Sequence, residues 1–195
     1  LLGGEALQLN GSPLAFVHAC AQAVWDLRRL LGWIRSQGGS RIGVYGLSTG
    51  ATTAALLAGV DAGLACVVAG IPVVDVVSPF DSYAARVARA TGEREELVRA
   101  RTRLLLRLAS PLAMHPLVPR SRRYVFGGIV DRMVAPESVA ALAKHWERPH
   151  TTLYPGGHTS FPTEPRVQRA LERAWQQAGL AVPSPASAHA GPRSS

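Results

Sequence analysis

Four short apolar runs, Arg41–Tyr45, Leu64–Ala69, Arg123–Gly127 and Thr151–Tyr154, alternate with longer segments of helical period. Each run is bounded by turn-forming residues and is too short for a helix, so each reads as a buried strand. Ser12-Pro13 opens the first helix, because serine can accept from the free amides of a helix start and proline suits its first turn. Phe16, Val17, Cys20, Val24, Leu27 and Leu31 then recur at helical spacing until Gly38-Gly39 stops the pattern. Thr49–Gly59, Pro136–Trp146 and Thr163–Ala178 read as further helices, and residues 80–109 as Arg-rich helix broken at Thr91-Gly92. This alternation predicts an α/β fold, a parallel sheet with helices on both faces.

Composition narrows the function classes. At 195 residues the chain has a one-domain length, and 47% apolar against 17% charged residues is globular rather than disordered composition. The folded domain is expected over residues 1–179. The segment 180–195, which from Val182 onward is Pro, Ser, Ala and Gly, is expected to be a disordered tail. A net charge of +8 invites a nucleic-acid partner, yet Lys144 is the only lysine among the 21 basic residues. No basic strip with interleaved aromatics appears, so the excess reads as arginine-biased composition, and no nucleic-acid partner is expected. No run of 18 apolar residues exists to span a bilayer, and a cytoplasmic location is expected. Cys20 and Cys66 form no CxxC pair and no metal-ligand spacing; they read as small buried hydrophobes.

The sharpest motif is Gly46-Leu47-Ser48-Thr49-Gly50, a G-x-S-x-G between a predicted strand and a predicted helix. A serine on such a turn sits in strained backbone, and flanking glycines leave room for close packing. The helix start behind it would let the Thr49 amide donate to a developing oxyanion. The competing reading is a plain tight turn with Ser48 as a helix cap. A serine nucleophile needs a base and an orienting acid. Of six histidines, His158 stands out, in Gly156-Gly157-His158-Thr159-Ser160-Phe161 after the fourth strand. Catalytic groups of open α/β sheets gather at the carboxyl ends of strands. Two aspartates follow strands. Asp131 is preferred because Gly127-Gly128 gives a defined turn before it, and Asp75 is the alternative acid.

Together these residues resemble the α/β-hydrolase superfamily. The elbow Gly46–Gly50, the segment Gly128–Glu137 (GxxDRxVxPE) and the segment Gly156–Phe161 (GGHxSF) occur in the order Ser, Asp, His, which is that family's chain order. The resemblance covers about residues 12–178 and corresponds to the carboxyl half of that fold. It implies a triad of Ser48, His158 and Asp131, with the Thr49 backbone amide in the oxyanion hole and neither metal nor cofactor. It also implies a possible helical cap inserted over about residues 80–122. In that family several strands precede the elbow and supply a second oxyanion amide. Only 40 residues precede Arg41, with no strand among them, so the chain reads as a fragment whose amino-terminal strands are missing.

The expected function is therefore a serine hydrolase of the carboxylic-ester type, acting on an ester, thioester or similar acyl bond of a small molecule through an acyl-enzyme. Peptidases, lipases and acyltransferases share the triad, so the acyl donor and acceptor stay open. An aspartate at position 48 would have pointed to dehalogenase or epoxide-hydrolase chemistry, which the serine excludes. The alternative is a non-catalytic hydrolase-fold binding module or inactive fragment. The arginines of residues 80–109 read either as a cap that shapes the pocket or, preferably, as a solvated face.

Overall fold

A computed structural model describes residues 12–180. The expected tail from Val182, His189 and the residues before Ser12 lie outside the described residues. The helix start works as the sequence predicts: Ser12 accepts from the amides of Leu14 and Ala15, and Pro13 opens α1 (Pro13–Ser36). There follow β1 (Gly43–Leu47), α2 (Thr49–Ala58), β2 (Cys66–Gly70), α3 (Asp81–Thr91) and α4 (Glu95–Leu106). The chain continues through β3 (Arg123–Gly128), α5 (Pro136–His145), β4 (His150–Tyr154) and α6 (Pro165–Gln177). All strand pairs are parallel, in the order β1-β2-β3-β4.

The period of two along the strands separates two cores. Val67, Ala69 and Val125 point to one face, where they pack with Ala54 and Leu57 of α2 and Val139 and Leu142 of α5. Cys66, Val68, Tyr124 and Phe126 point to the other, under Val167 and Ala174 of α6. Among the described residues β1 pairs on one side only, with β2, and its Tyr45 is 38% exposed. Both cysteines are free and buried, and burial pushes each thiol up to about 11.

Two strands sit further along the chain than the apolar runs predict. β1 begins at Gly43 and reaches Leu47, because Leu47 pairs with Gly70 and the next amide, that of Ser48, donates to the Gly70 carbonyl at 2.9 Å. β2 correspondingly extends to Gly70. The strand therefore runs straight into the elbow. Between β2 and β3 stand α3 and α4, separated by Gly92 in the left-handed region (φ 72°), where glycine carries no Cβ penalty. They pack on each other through Ala84, Ala88 and Val98. Leu106, at the end of α4, joins Val17 and Cys20 of α1 in a third cluster. Among the described residues no helix is long and apolar enough to cross a membrane.

Candidate active site

Ser48 sits between the last residue of β1 and the first of α2 with φ 53° and ψ −119°, and its side chain caps no amide of α2. That conformation is one an L-residue adopts only when its surroundings enforce it. The enforcement is visible at Gly46, where a Cβ would lie 2.1 Å from the carbonyl oxygen of Gly50 and 2.8 Å from the nitrogen of Ala51. Only a residue without a side chain lets the strand and helix backbones approach so closely. Gly50, by contrast, has open space where a Cβ would stand. Thr49 is the first residue of α2, so its amide has no acceptor within the helix and points out of its amino end. The plain-cap reading of Ser48 does not describe this turn, since the hydroxyl is not used as a cap.

Two loops from the carboxyl ends of β3 and β4 meet beside the elbow. Gly128 ends β3, and a Cβ there would lie 2.1 Å from the carbonyl oxygen of Gly156. Across this contact Ile129 donates to the Tyr154 carbonyl at 3.0 Å and Val130 to the Gly156 carbonyl at 3.3 Å. The Tyr154 hydroxyl donates to the Gly157 carbonyl at 2.9 Å. The paired loops carry Asp131 and His158, whose Oδ2 and Nδ1 lie 2.9 Å apart. The Asp131 side chain is fully buried and that of His158 is 18% exposed. Oδ1 of Asp131 accepts from the amides of Met133 and Val134. Burial pushes the Asp131 carboxyl up, but those two amides and the His158 ring outweigh it and hold its pKa below the ordinary value.

Ser48, Thr49 and His158 line one cleft of about 420 Å³, with apolar walls that include Phe16, Val76 and Met133. Thr52 of α2, also in its lining, donates to the Val73 carbonyl at 2.6 Å and ties the loop after β2 to the helix. Asp75 lines the same cleft, but its carboxylate serves its own turn. It accepts from the amides of Val77 and Ser78 and from the Ser78 hydroxyl, and it is not bonded to His158.

No family model matches the chain. Uncharacterized proteins from two strains of Mycobacterium tuberculosis are 44% identical to it over 170 residues, covering 84% of this chain and 40% of their own length. The chain thus spans less than half the length of the curated relatives it matches. An acetyl xylan esterase from a Paenibacillus species superposes with a TM-score of 0.57 at 20% identity, over 82% of this chain and 52% of that one. An esterase from Pyrococcus furiosus gives 0.54 at 19% identity, over 80% of this chain and 61% of that one. An α/β-hydrolase from a Penicillium species gives 0.55 at 16% identity, over 82% of this chain and 71% of that one. The chain has the α/β-hydrolase fold.

Within this α/β-hydrolase sheet the remaining histidines and aspartates fall away from the cleft. His18 is on the exposed side of α1. His145 contacts the Met114 carbonyl at 2.8 Å and stacks on His115, and His150 of β4 stacks on Tyr124 of β3. Asp26 accepts from Gln22, Asp61 from Arg35, and Asp81 from Arg99. The arginines of α3 and α4 do not line the cleft; Arg99 pairs with Asp81 and Glu95, and Arg101 with Glu93. Among the described residues no three His, Cys, Asp or Glu side chains cluster as a metal ion would require. The apolar walls of the cleft come from α1 and from the loops after β2 and β3, and no motif in the sequence marks them.

Proposed function

We propose that the chain carries a serine hydrolase site that cleaves an ester, thioester or similar acyl bond of a small molecule, most simply a carboxylic ester. Ser48 Oγ attacks the acyl carbon while the far nitrogen of His158, Nε2, takes its proton. The new Oγ–carbon bond forms a tetrahedral intermediate whose oxyanion accepts from the Thr49 amide. The bond to the leaving group then breaks, and His158 returns the proton to the departing oxygen or sulfur. Water attacks the acyl-enzyme by the same route and releases the acid and free Ser48. Asp131 keeps Nδ1 protonated and stabilises the imidazolium.

The observation that carries this reading is the contact of His158 with the buried, doubly amide-bonded Asp131 in a cleft where Ser48 is held in positive φ with an uncapped hydroxyl. Fold neighbours named as esterases support the carboxylic-ester assignment. The helical excursion between β2 and β3 is read as the insertion of the hydrolase domain, and two unpaired buried thiols fit a reducing, cytoplasmic compartment. The test is hydrolysis of p-nitrophenyl butyrate by the protein and by its Ser48→Ala variant. The reading requires turnover in the first and none above background in the second, with the folded signal unchanged.

A further inference from the structure

We propose that the cleft continues past Asp75 and Ser138 into a second, apolar lobe, and that the two lobes together take an uncharged ester bearing an elongated apolar chain. This rests on the reading of Ser48 as nucleophile and names the substrate class for it.

A second cavity, of about 440 Å³, adjoins the first, and Asp75, Val76 and Ser138 line both. The two cavities are therefore neighbours through a shared wall of three residues. The walls of the second are Val74, Val77, Leu106, Leu112 and Ala141. Its charged lining residues are Asp75, Arg107 and Glu137. The shared wall matters most for selection. Asp75 is fixed there by the two amides and the hydroxyl it accepts from, so a carboxylate is held in the wall that the two lobes share. Two acidic side chains, Asp75 and Glu137, against the single basic Arg107 disfavour an anionic chain end in the second lobe, while methylenes find apolar side chains there. No arginine or lysine lines the first lobe.

A short acyl chain stays in the Ser48 lobe; a longer one reaches the second. Burial of each further methylene stabilises the bound chain enough to raise kcat/KM by up to about fourfold. Ala141 on α5 and Val77 in the loop after β2 face the second lobe from different elements and take no part in the chemistry, so each can be enlarged to fill it.

The experiment is a chain-length series of p-nitrophenyl esters from acetate to octanoate, run on the protein, Ala141→Phe and Val77→Phe. The proposal expects kcat/KM to rise at least about tenfold from butyrate to octanoate. It expects both variants to keep acetate turnover within about twofold while losing most of the octanoate gain. A flat or falling profile in the unsubstituted protein overturns it, as do variants that slow acetate and octanoate alike. A second measurement needs no catalysis: octan-1-ol should raise the melting temperature of Ser48→Ala more than butan-1-ol does, and Ala141→Phe should abolish the difference. Equal effects of the two alcohols overturn the second lobe even where acetate turnover upholds Ser48. Absence of all ester turnover removes the nucleophile reading and leaves the alcohol difference to decide the lobe.

Discussion

His158 Nδ1 lies 2.9 Å from Asp131 Oδ2, and the same carboxylate accepts two backbone amides through its other oxygen. Such a carboxylate is held in place from both sides, so it orients the ring rather than following it. Asp131→Asn removes the charge while keeping the shape. In a well-studied triad that change lowered turnover on the order of 10⁴-fold through the wrong imidazole tautomer. A loss of at least about 10³-fold is expected here, against less than about tenfold for Asp75→Asn, whose acceptor role in its own turn an amide oxygen can partly keep. Steady-state kinetics on a p-nitrophenyl ester decide it, and the reverse order would move the acid to Asp75.

The depressed Asp131 pKa also has a stability consequence. A group with a folded value below its unfolded one, near 3.9 for aspartate, lends stability that is fully present above about pH 4. That contribution is lost as pH falls through the folded value. Urea unfolding at pH 7 and pH 3 should therefore show a wider gap between the protein and Asp131→Asn at pH 7. A gap that does not change with pH would mean the carboxyl is not held low in the folded state.

The two glycines of the elbow should behave differently. Gly46→Ala drives a Cβ into backbone atoms of Gly50 and Ala51, which cannot move without displacing the start of α2. A destabilisation of about 1–3 kcal/mol, typical of overpacking, and loss of most activity are expected. Gly50→Ala meets open space within a helix, where alanine is favoured over glycine by roughly 0.5–1 kcal/mol. It should fold at least as stably as the parent. Thermal or urea unfolding of the two variants checks this.

Strain at Ser48 gives a further expectation. Ser48→Ala keeps a side chain at φ 53°, whereas Ser48→Gly relieves it. Strain of this kind costs on the order of 1–3 kcal/mol, and glycine loses part of the gain through the flexibility of the unfolded chain. The glycine variant should be more stable than the alanine variant by roughly 0.5–2 kcal/mol, while both lack ester turnover. Equal stabilities would argue against the strained turn.

Much of the sheet was legible because each short apolar run lay between turn residues, and the helix cap at Ser12 and the break at Gly92 follow from local chemistry. The strand ends were not. β1 and β2 run further toward the elbow than their apolar runs because Leu47 pairs with Gly70, and a pairing partner is invisible to a local pattern. Asp75 and Asp131 are both loop acids after strands, and in the sequence only the glycine pair before Asp131 ranks one above the other. What separates them is tertiary: one is absorbed in its own turn, and the other is buried against a loop from β4. The buried Arg123 was equally hidden. Its guanidinium donates to the carbonyls of Val118 and Trp146, which no sequence spacing announces. The unequal roles of Gly46 and Gly50 likewise depend on which backbone each one touches.

An activated Ser48 should react covalently with a serine-directed probe. The protein is incubated with a fluorophosphonate and digested, and the adduct is located by mass spectrometry. A single adduct is expected on Ser48, absent from Ser48→Ala and formed much more slowly in His158→Ala. No adduct, or equal labelling of Ser48 with and without His158, would contradict it.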